Sequence, residues 1–312
     1  MLISFSQTLY SRLKPFKKYF ASDFKIIFVG WGRRKYGEFA RKIAKIFNFP
    51  FLCLEDGFIR SVEIGKSDFV FSIVIDEKGI YYDATRASKL EDIINTYDFQ
   101  SDTGLIQTAS DSLKLLIEYN ITKYNHAPNF HKADLANDTK KQILVVAQTA
   151  GDMSLKYGMT DSYSTNDLLA IARKENPDAT LYLKLHPDVL HGIKKSDIDL
   201  KQIHKDFTII SEDVNALTLL KSMDKVYTKT SQMGFEALLL GKEVVCFGVP
   251  FYSGWGLTDD RIPCNRRVRR VTPLELFAAA YILYPVYYNP YTRKDSDIID
   301  TIQTIVAIKN AK

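Results

Sequence analysis

Between residues 142 and 247, short apolar runs alternate with stretches of helical spacing, and this alternation constrains the fold of the 312-residue chain more than any other feature. The runs at 142–147, 180–185, 207–210, 225–227 and 244–247 are too short for helices and are bounded by polar turns, so they read as buried strands. Helical stretches near 165–175, 214–222 and 232–240 supply the crossovers that parallel strands require. Strands and helices in this order predict a doubly wound parallel sheet, whose ligands bind beyond the carboxyl ends of the strands.

The first half repeats the pattern once. A strand at 25–29, a Gly-Trp-Gly turn, a helix carrying Phe39, Ile43 and Phe47, and a strand at 51–54 form a βαβ unit. Residues 69–75 and 80–82, joined by Asp76-Glu77-Lys78-Gly79, predict a hairpin, and helical stretches fill 88–124. The polar segment 125–141, with Pro128, reads as a linker. The expectation is therefore an α/β protein of two Rossmann-like domains facing a cleft, 1–140 and 141–312, with the C-terminal helices packing back on the first. With 46% hydrophobic and 25% charged residues, there is apolar material for two cores.

The net charge of +5 is too small for a dedicated nucleic-acid binder but suits anionic partners. No run approaches the roughly 20 apolar residues that cross a bilayer, and no signal peptide is apparent. Cys53, Cys246 and Cys264 are odd in number and lack CxxC spacing, which fits a reducing compartment. A cytoplasmic protein, peripheral at the inner face of the cytoplasmic membrane, is the expectation. Residues 1–20 place Leu2, Phe5, Leu9, Leu13, Phe16 and Phe20 at helical spacing among Arg12, Lys14, Lys17 and Lys18. This basic amphipathic segment either packs on its own domain or meets an anionic membrane, and Arg266, Arg267, Arg269 and Arg270 are a second basic patch for such a surface.

Four polar clusters follow expected strands. Glu55-Asp56-Gly57 with Arg60 offers a general base, a carboxylate partner and an anion clamp, or else a turn with a structural ion pair. Gln148-Thr149-Ala150-Gly151-Asp152 joins a glycine that lets backbone approach a ligand to a carboxylate suited to be nucleophile, base or helix cap. Lys184-Leu185-His186-Pro187 holds a histidine beside a lysine, a pairing suited to a phosphate leaving group. Thr228-Lys229-Thr230-Ser231 opens a helix, where free backbone N–H groups, hydroxyls and a lysine suit a phosphate, with Glu236 one turn on in reach of a ribose. The five histidines show no metal-ligand spacing, and no metal or other cofactor is expected.

These residues lie in longer motifs: GWGRRKYG (30–37), LEDGFIRSVEIG (54–65), GIYYDATRAS (79–88), TNDLL (165–169), NPDATLYLKLHPDV (176–189), GFEALLLGKEVVCFGVPFYSGWGLTDD (234–260) and ILYPVYYNP (282–290). In this order they resemble bacterial capsular polysaccharide synthesis proteins, in particular the β-Kdo transferases that build the poly-Kdo linker of lipid-anchored capsules. The tandem enzyme of that family carries two such modules, and this chain resembles one. The resemblance implies a GT-B-like fold and a retaining glycosyltransferase using CMP-Kdo or a related CMP-ulosonic acid. It assigns Asp152 as nucleophile, Glu55 as acid/base and His186 as the group stabilising departing CMP. Gln148, Lys184, Pro187, Thr230, Ser231 and Glu236 would hold the donor, and Asp56, Arg60 and Gly151 would contact the sugars. The implied partners are a CMP-sugar donor, a glycan or glycolipid acceptor and an anionic membrane surface, with no nucleic acid. The competing expectations are a transferase for pseudaminic, legionaminic or sialic acid donors, an inverting transferase without a nucleophile, and a noncatalytic capsule-assembly or export adaptor.

Overall fold

A computed structural model describes residues 1–20, 26–64, 69–131, 135, 139–185, 189, 195–198 and 203–311. Its contacts divide the chain into unit 1 (Met1–Tyr81, Arg86–His126, Leu274–Lys312) and unit 2 (Tyr82–Thr85, Ala127–Pro273). Apart from Tyr82–Thr85, which belong to unit 2, the chain leaves unit 1 at His126–Ala127, inside the 125–141 segment, and the last 39 residues belong to unit 1.

Unit 1 begins with β1 (Leu2–Ile3), α1 (Gln7–Leu13) and a 3-10 segment at Lys14–Phe20 that contains Pro15. Leu9, Leu13, Phe16 and Phe20 are buried with Ile27, Val29, Leu54, Ile73 and Ile75. Of the two readings of residues 1–20, the structure shows the packing segment. Its Leu9, Leu13, Phe16 and Phe20 are core and are not free to enter a membrane, whereas Phe5 is 41% exposed. Among its cations, Arg12 stacks 4.6 Å above the Trp31 ring and Lys18 pairs with Asp295.

β2 (Ile27–Trp31), α2 (Lys35–Ile46) and β3 (Phe51–Asp56) are the expected βαβ unit, with β2 parallel to both β1 and β3. The helix lies close on its strand because Gly30 and Gly37 meet there: a Cβ on Gly30 would fall 2.6 Å from the Gly37 Cα. The expected hairpin is not formed. β4 (Ser72–Asp76) pairs antiparallel with β3, and residues 80–82 lie outside any strand. The reason is Asp76, whose Oδ1 accepts from the N–H groups of Lys78 and Gly79 at 2.8 Å, while Oδ2 accepts from Lys89 N–H at 3.0 Å. A buried carboxylate with those donors turns the chain out of the sheet and toward α3 (Lys89–Thr96) and α4 (Thr103–Glu118), capped by Ser88 and Asp102.

Unit 2 contains β5 (Gln142–Val146), β6 (Thr180–Lys184), β7 (Phe207–Ile210), β8 (Lys225–Thr228), β9 (Glu243–Cys246) and the short β10 (Asp259–Asp260). All pairings are parallel, in the order β10-β9-β8-β5-β6-β7. From β5 the chain winds outward through β6 and β7, then returns to β8 on the other flank of β5. The switch point thus lies between β5 and β8. α5 (Met153–Tyr157), α6 (Thr165–Glu175) and the helices Ala216–Lys221 and Gln232–Leu239 connect these strands. Cys53 and Cys246 are buried thiols, as their apolar surroundings in the sequence indicate.

The chain then returns to unit 1 with β11 (Pro285–Asn289) and β12 (Lys294–Ser296), ending in the helix Ile298–Asn310. β11 pairs antiparallel with β4, completing a mixed sheet of order β1-β2-β3-β4-β11-β12. The Tyr284 hydroxyl donates to Asp76 Oδ2 at 2.8 Å, so the same carboxylate that ends β4 also anchors the returning chain. Among the described residues no helix is long and apolar enough to cross a membrane.

Candidate active site

The switch point of unit 2 is where two of the polar clusters meet. Gln148, just past β5, and Thr230, just past β8, are 82 residues apart in sequence, and the Thr230 N–H donates to Gln148 Oε1 at 2.9 Å. Gln148 Nε2 donates to the hydroxyls of Ser154 and Thr230 at 3.1 Å each, and those hydroxyls lie 3.0 Å apart. Asp197 extends this network: Oδ1 accepts from Gln148 N–H at 3.1 Å, Oδ2 accepts from the Thr165 hydroxyl, and Lys229 Nζ lies 3.6 Å from Oδ2. Ser154, Thr165 and Asp197 carried no functional signal in sequence, although Asp152-Met153-Ser154 has the spacing of a capped helix start. Thr230→Val is expected to destabilise unit 2 by about 1–3 kcal/mol, because Gln148 and Ser154 lose a buried partner. Thr230→Ser should restore most of the unfolding midpoint, and an unchanged midpoint in the valine variant would remove the network from the account.

Asp152 stands at the start of α5, where its Oδ1 accepts from Ser154 N–H at 2.9 Å. Its second oxygen has no hydrogen-bond partner among the described residues, so one carboxylate both caps a helix and presents an acceptor. Gly151 before it has φ +82°, with open space where a Cβ would stand. Ser231 caps the helix Gln232–Leu239 through Met233 N–H, and its carbonyl accepts from the Tyr252 hydroxyl at 2.6 Å. Glu236 is buried in that helix rather than on a solvated face. Lys184 is committed differently from its expected role: Nζ donates to the carbonyls of Leu185 and Glu212 at 2.9 Å each. Burial also holds its pKa below the ordinary lysine value. His186 and Pro187 lie outside the described residues.

In unit 1, β3 ends in Glu55 and Asp56. Glu55 Oε1 accepts from the Trp31 indole at 2.8 Å and from Asp56 N–H at 3.1 Å, while Oε2 has no partner among the described residues. Burial, and then repulsion from Asp56, push the Glu55 pKa up. An acid/base group at neutral pH needs a shift in this direction. Arg60 is buried, with Nε 3.1 Å from Asp56 Oδ1 and Nη1 donating to the Ser61 hydroxyl at 2.6 Å. Lys123 is a cation that sequence reasoning missed. Burial opposes its charge, but Tyr81, Tyr124, Asp56 and Glu55 more than offset this and raise its pKa. Its position follows from main-chain bonds, since the Lys123 carbonyl accepts from Arg60 N–H at 3.0 Å.

Gly57 lets this loop form, because a Cβ there would overlap the Ser72 hydroxyl, itself bonded to the Ile59 carbonyl. Gly57→Ala is expected to destabilise the protein by about 1–3 kcal/mol through overpacking, measured by denaturant unfolding. In the arginine block, Arg267 is buried in the fold, with Nη1 donating to Ser253 O at 2.7 Å, and Arg266 donates to Ala84 O at 2.7 Å. Neither is a loose surface cation. No group of three or more His, Cys, Asp or Glu is placed to hold a metal among the described residues.

An α/β architecture of two units, with polar loops at the switch point of a parallel sheet, defines a GT-B-like protein. The sequence matches the family described as capsule polysaccharide biosynthesis protein over residues 27–104 and 104–288, and the chain belongs to that family. The capsule polysaccharide modification protein LipA of Neisseria meningitidis serogroup B is 42% identical over 291 residues, covering 90% of this chain and 41% of that protein. The lipopolysaccharide-processing protein LpsZ of Rhizobium meliloti is 39% identical, covering 91% of this chain and 64% of that one. This chain therefore spans less than two thirds of either relative. Among solved structures, the β-Kdo 2,4 transferase of Thermosulfurimonas dismutans KpsC is similar at TM-score 0.90 and 39% identity, over 98% of this chain and 97% of that one. The β-Kdo 2,7 transferase of the same KpsC is similar at TM-score 0.75 and 30% identity, over 99% of this chain and 98% of that one.

Proposed function

We propose that the chain is a retaining glycosyltransferase that moves a β-linked Kdo from CMP-Kdo to a capsule or surface glycan acceptor. The observation that carries this reading is the likeness, over 98% of the chain, to a module that transfers β-Kdo. The local chemistry supports it. In the first displacement, the Asp152 oxygen that does not cap α5 attacks C2 of the donor sugar, the C2–O bond to phosphate breaks, and CMP departs. In the second, the acceptor hydroxyl attacks C2, the bond to Asp152 breaks, and Glu55 takes the hydroxyl proton. A carboxylate suits this centre because a 2-ulosonic carbon reacts through an oxocarbenium-like transition state.

His186 is assigned to the departing phosphate, and Thr230, Ser231 and Glu236 to the nucleotide, with Gln148 and Ser154 fixing Thr230. No metal is required in this scheme, because the developing charges fall on side chains already named. The test is incubation with CMP-Kdo and candidate acceptors, following CMP release and the anomeric configuration of the product by NMR. A β product with CMP release is expected. Release only from a CMP-nonulosonic acid would move the donor to that related class, an inverted product would remove the nucleophile, and CMP binding without turnover of any donor would leave an adaptor.

A further inference from the structure

We propose that the solvent-facing aromatic stripe of α2, extended by Phe5 and Phe49, is a docking surface for an anionic lipid bilayer. The helix is built the wrong way round for a purely internal role. Its small residues Gly37, Ala40 and Ala44 are its buried ones, whereas its large apolar side chains face water. Tyr36, Phe39, Ile46 and Phe47, together with Phe5 and Phe49, are each between 38 and 71% exposed. At 100° per residue, Tyr36, Phe39, Ile43, Ile46 and Phe47 fall on one flank of the helix, beside the core-facing side. They form one preassembled patch: the Phe5 ring meets Phe39 edge-on at 4.7 Å, and buried Phe28 lies 6.4 Å from Phe5 and 5.9 Å from Phe49.

Charge selects the occupant. On the opposite flank of the stripe, Lys35, Lys42 and Lys45 are exposed and make no ion pair among the described residues. The one acid of α2, Glu38, is taken up by Arg41 at 2.8 Å and by Arg33. An apolar strip bearing aromatic rings beside exposed lysines matches a headgroup layer, where rings sit at the boundary and cations meet acidic lipids. The patch is the outer side of a helix rather than a groove, a shape that suits a broad surface better than an inserted peptide. Apart from Phe5, this surface is distinct from the apolar side of residues 1–20, whose Leu9, Leu13, Phe16 and Phe20 are core, and the inference does not depend on which reaction the chain catalyses.

The test is sedimentation of the full chain with phosphatidylglycerol-containing vesicles and with neutral phosphatidylcholine vesicles, across a salt series. Binding to the anionic vesicles that weakens with salt is expected. Lys35→Glu with Lys42→Glu and Lys45→Glu should weaken it on the order of a hundredfold, or about fivefold per lysine. Phe39→Ser with Ile46→Ser should weaken it by about tenfold or more with only a small drop in the unfolding midpoint, because Ile46 is 71% and Phe39 48% exposed. Absence of binding by the native chain at low salt would overturn the proposal, as would unchanged binding in both variants. Gel filtration provides the remaining outcome: a dimer that the Phe39/Ile46 variant converts to monomer, with no vesicle binding, would assign the patch to a second copy instead.

Discussion

Asp152→Asn should lower transfer by about 10⁴-fold or more while CMP affinity and the unfolding midpoint stay close to native values, on the scale seen when a covalent nucleophile is removed. Asparagine is the informative replacement because of what the structure adds to the sequence reading. Asp152 caps α5 through its Oδ1, and asparagine caps a helix about as well as aspartate does. Alanine would remove cap and nucleophile together, so a loss of about 1 kcal/mol in stability would accompany the lost turnover and blur its origin. The amide keeps the cap and cannot form the glycosyl ester. Normal turnover by the asparagine variant would reduce Asp152 to its capping role.

Glu55→Gln should impair the second displacement by about 10²–10⁴-fold, so that a ulosonyl adduct on Asp152 accumulates and appears as a mass increase on the intact protein. Stability should move the other way. The native Glu55 pKa lies above its unfolded value, because burial and then Asp56 disfavour the charged form. Such a group stabilises the fold while it is protonated, below the unfolded value of about 4.3, and that contribution is lost as pH rises through the native pKa. The glutamine variant, which keeps an oxygen for the Trp31 indole, should therefore melt higher than the native chain near pH 8. The gap should close as pH falls toward about 4. Full activity with the natural acceptor would transfer the base role to Asp56 or to the substrate, and a pH-independent gap in melting would show that the native Glu55 pKa is not raised by burial and Asp56.

Within each unit, the candidate site was legible to different depths. Asp152, Thr230 and Ser231 were visible because each follows an apolar run that ends a strand, and the carboxyl edge of a parallel sheet is where such residues face a ligand. Trp31 was visible only as part of a Gly-Trp-Gly turn; that its indole reaches Glu55 at 2.8 Å depends on the parallel register of β2 and β3, which places Trp31 opposite Leu54. Lys123 had no local signal at all, since it lies at the end of a helical stretch and reaches the Glu55 region through the folding of the 121–125 loop.

Local periodicity by itself determined that the second half of the chain is a parallel α/β sheet and which loops lie at its carboxyl edge, because apolar runs of three to six residues between helical stretches admit few other packings. Only the tertiary structure decided the strand order that sets β8 beside β5 and joins Gln148 to Thr230 across 82 residues. It also decided that β4 pairs with β3 and with β11, a strand more than 200 residues away, rather than with its neighbour in sequence. It turned Leu9, Leu13, Phe16 and Phe20 inward and left Phe5 and the aromatic flank of α2 outward, although both segments read as amphipathic helices. The physical reason is the same in each case. Periodicity states which residues avoid water, whereas the partner that covers them is settled by competition among distant segments for the same buried surface.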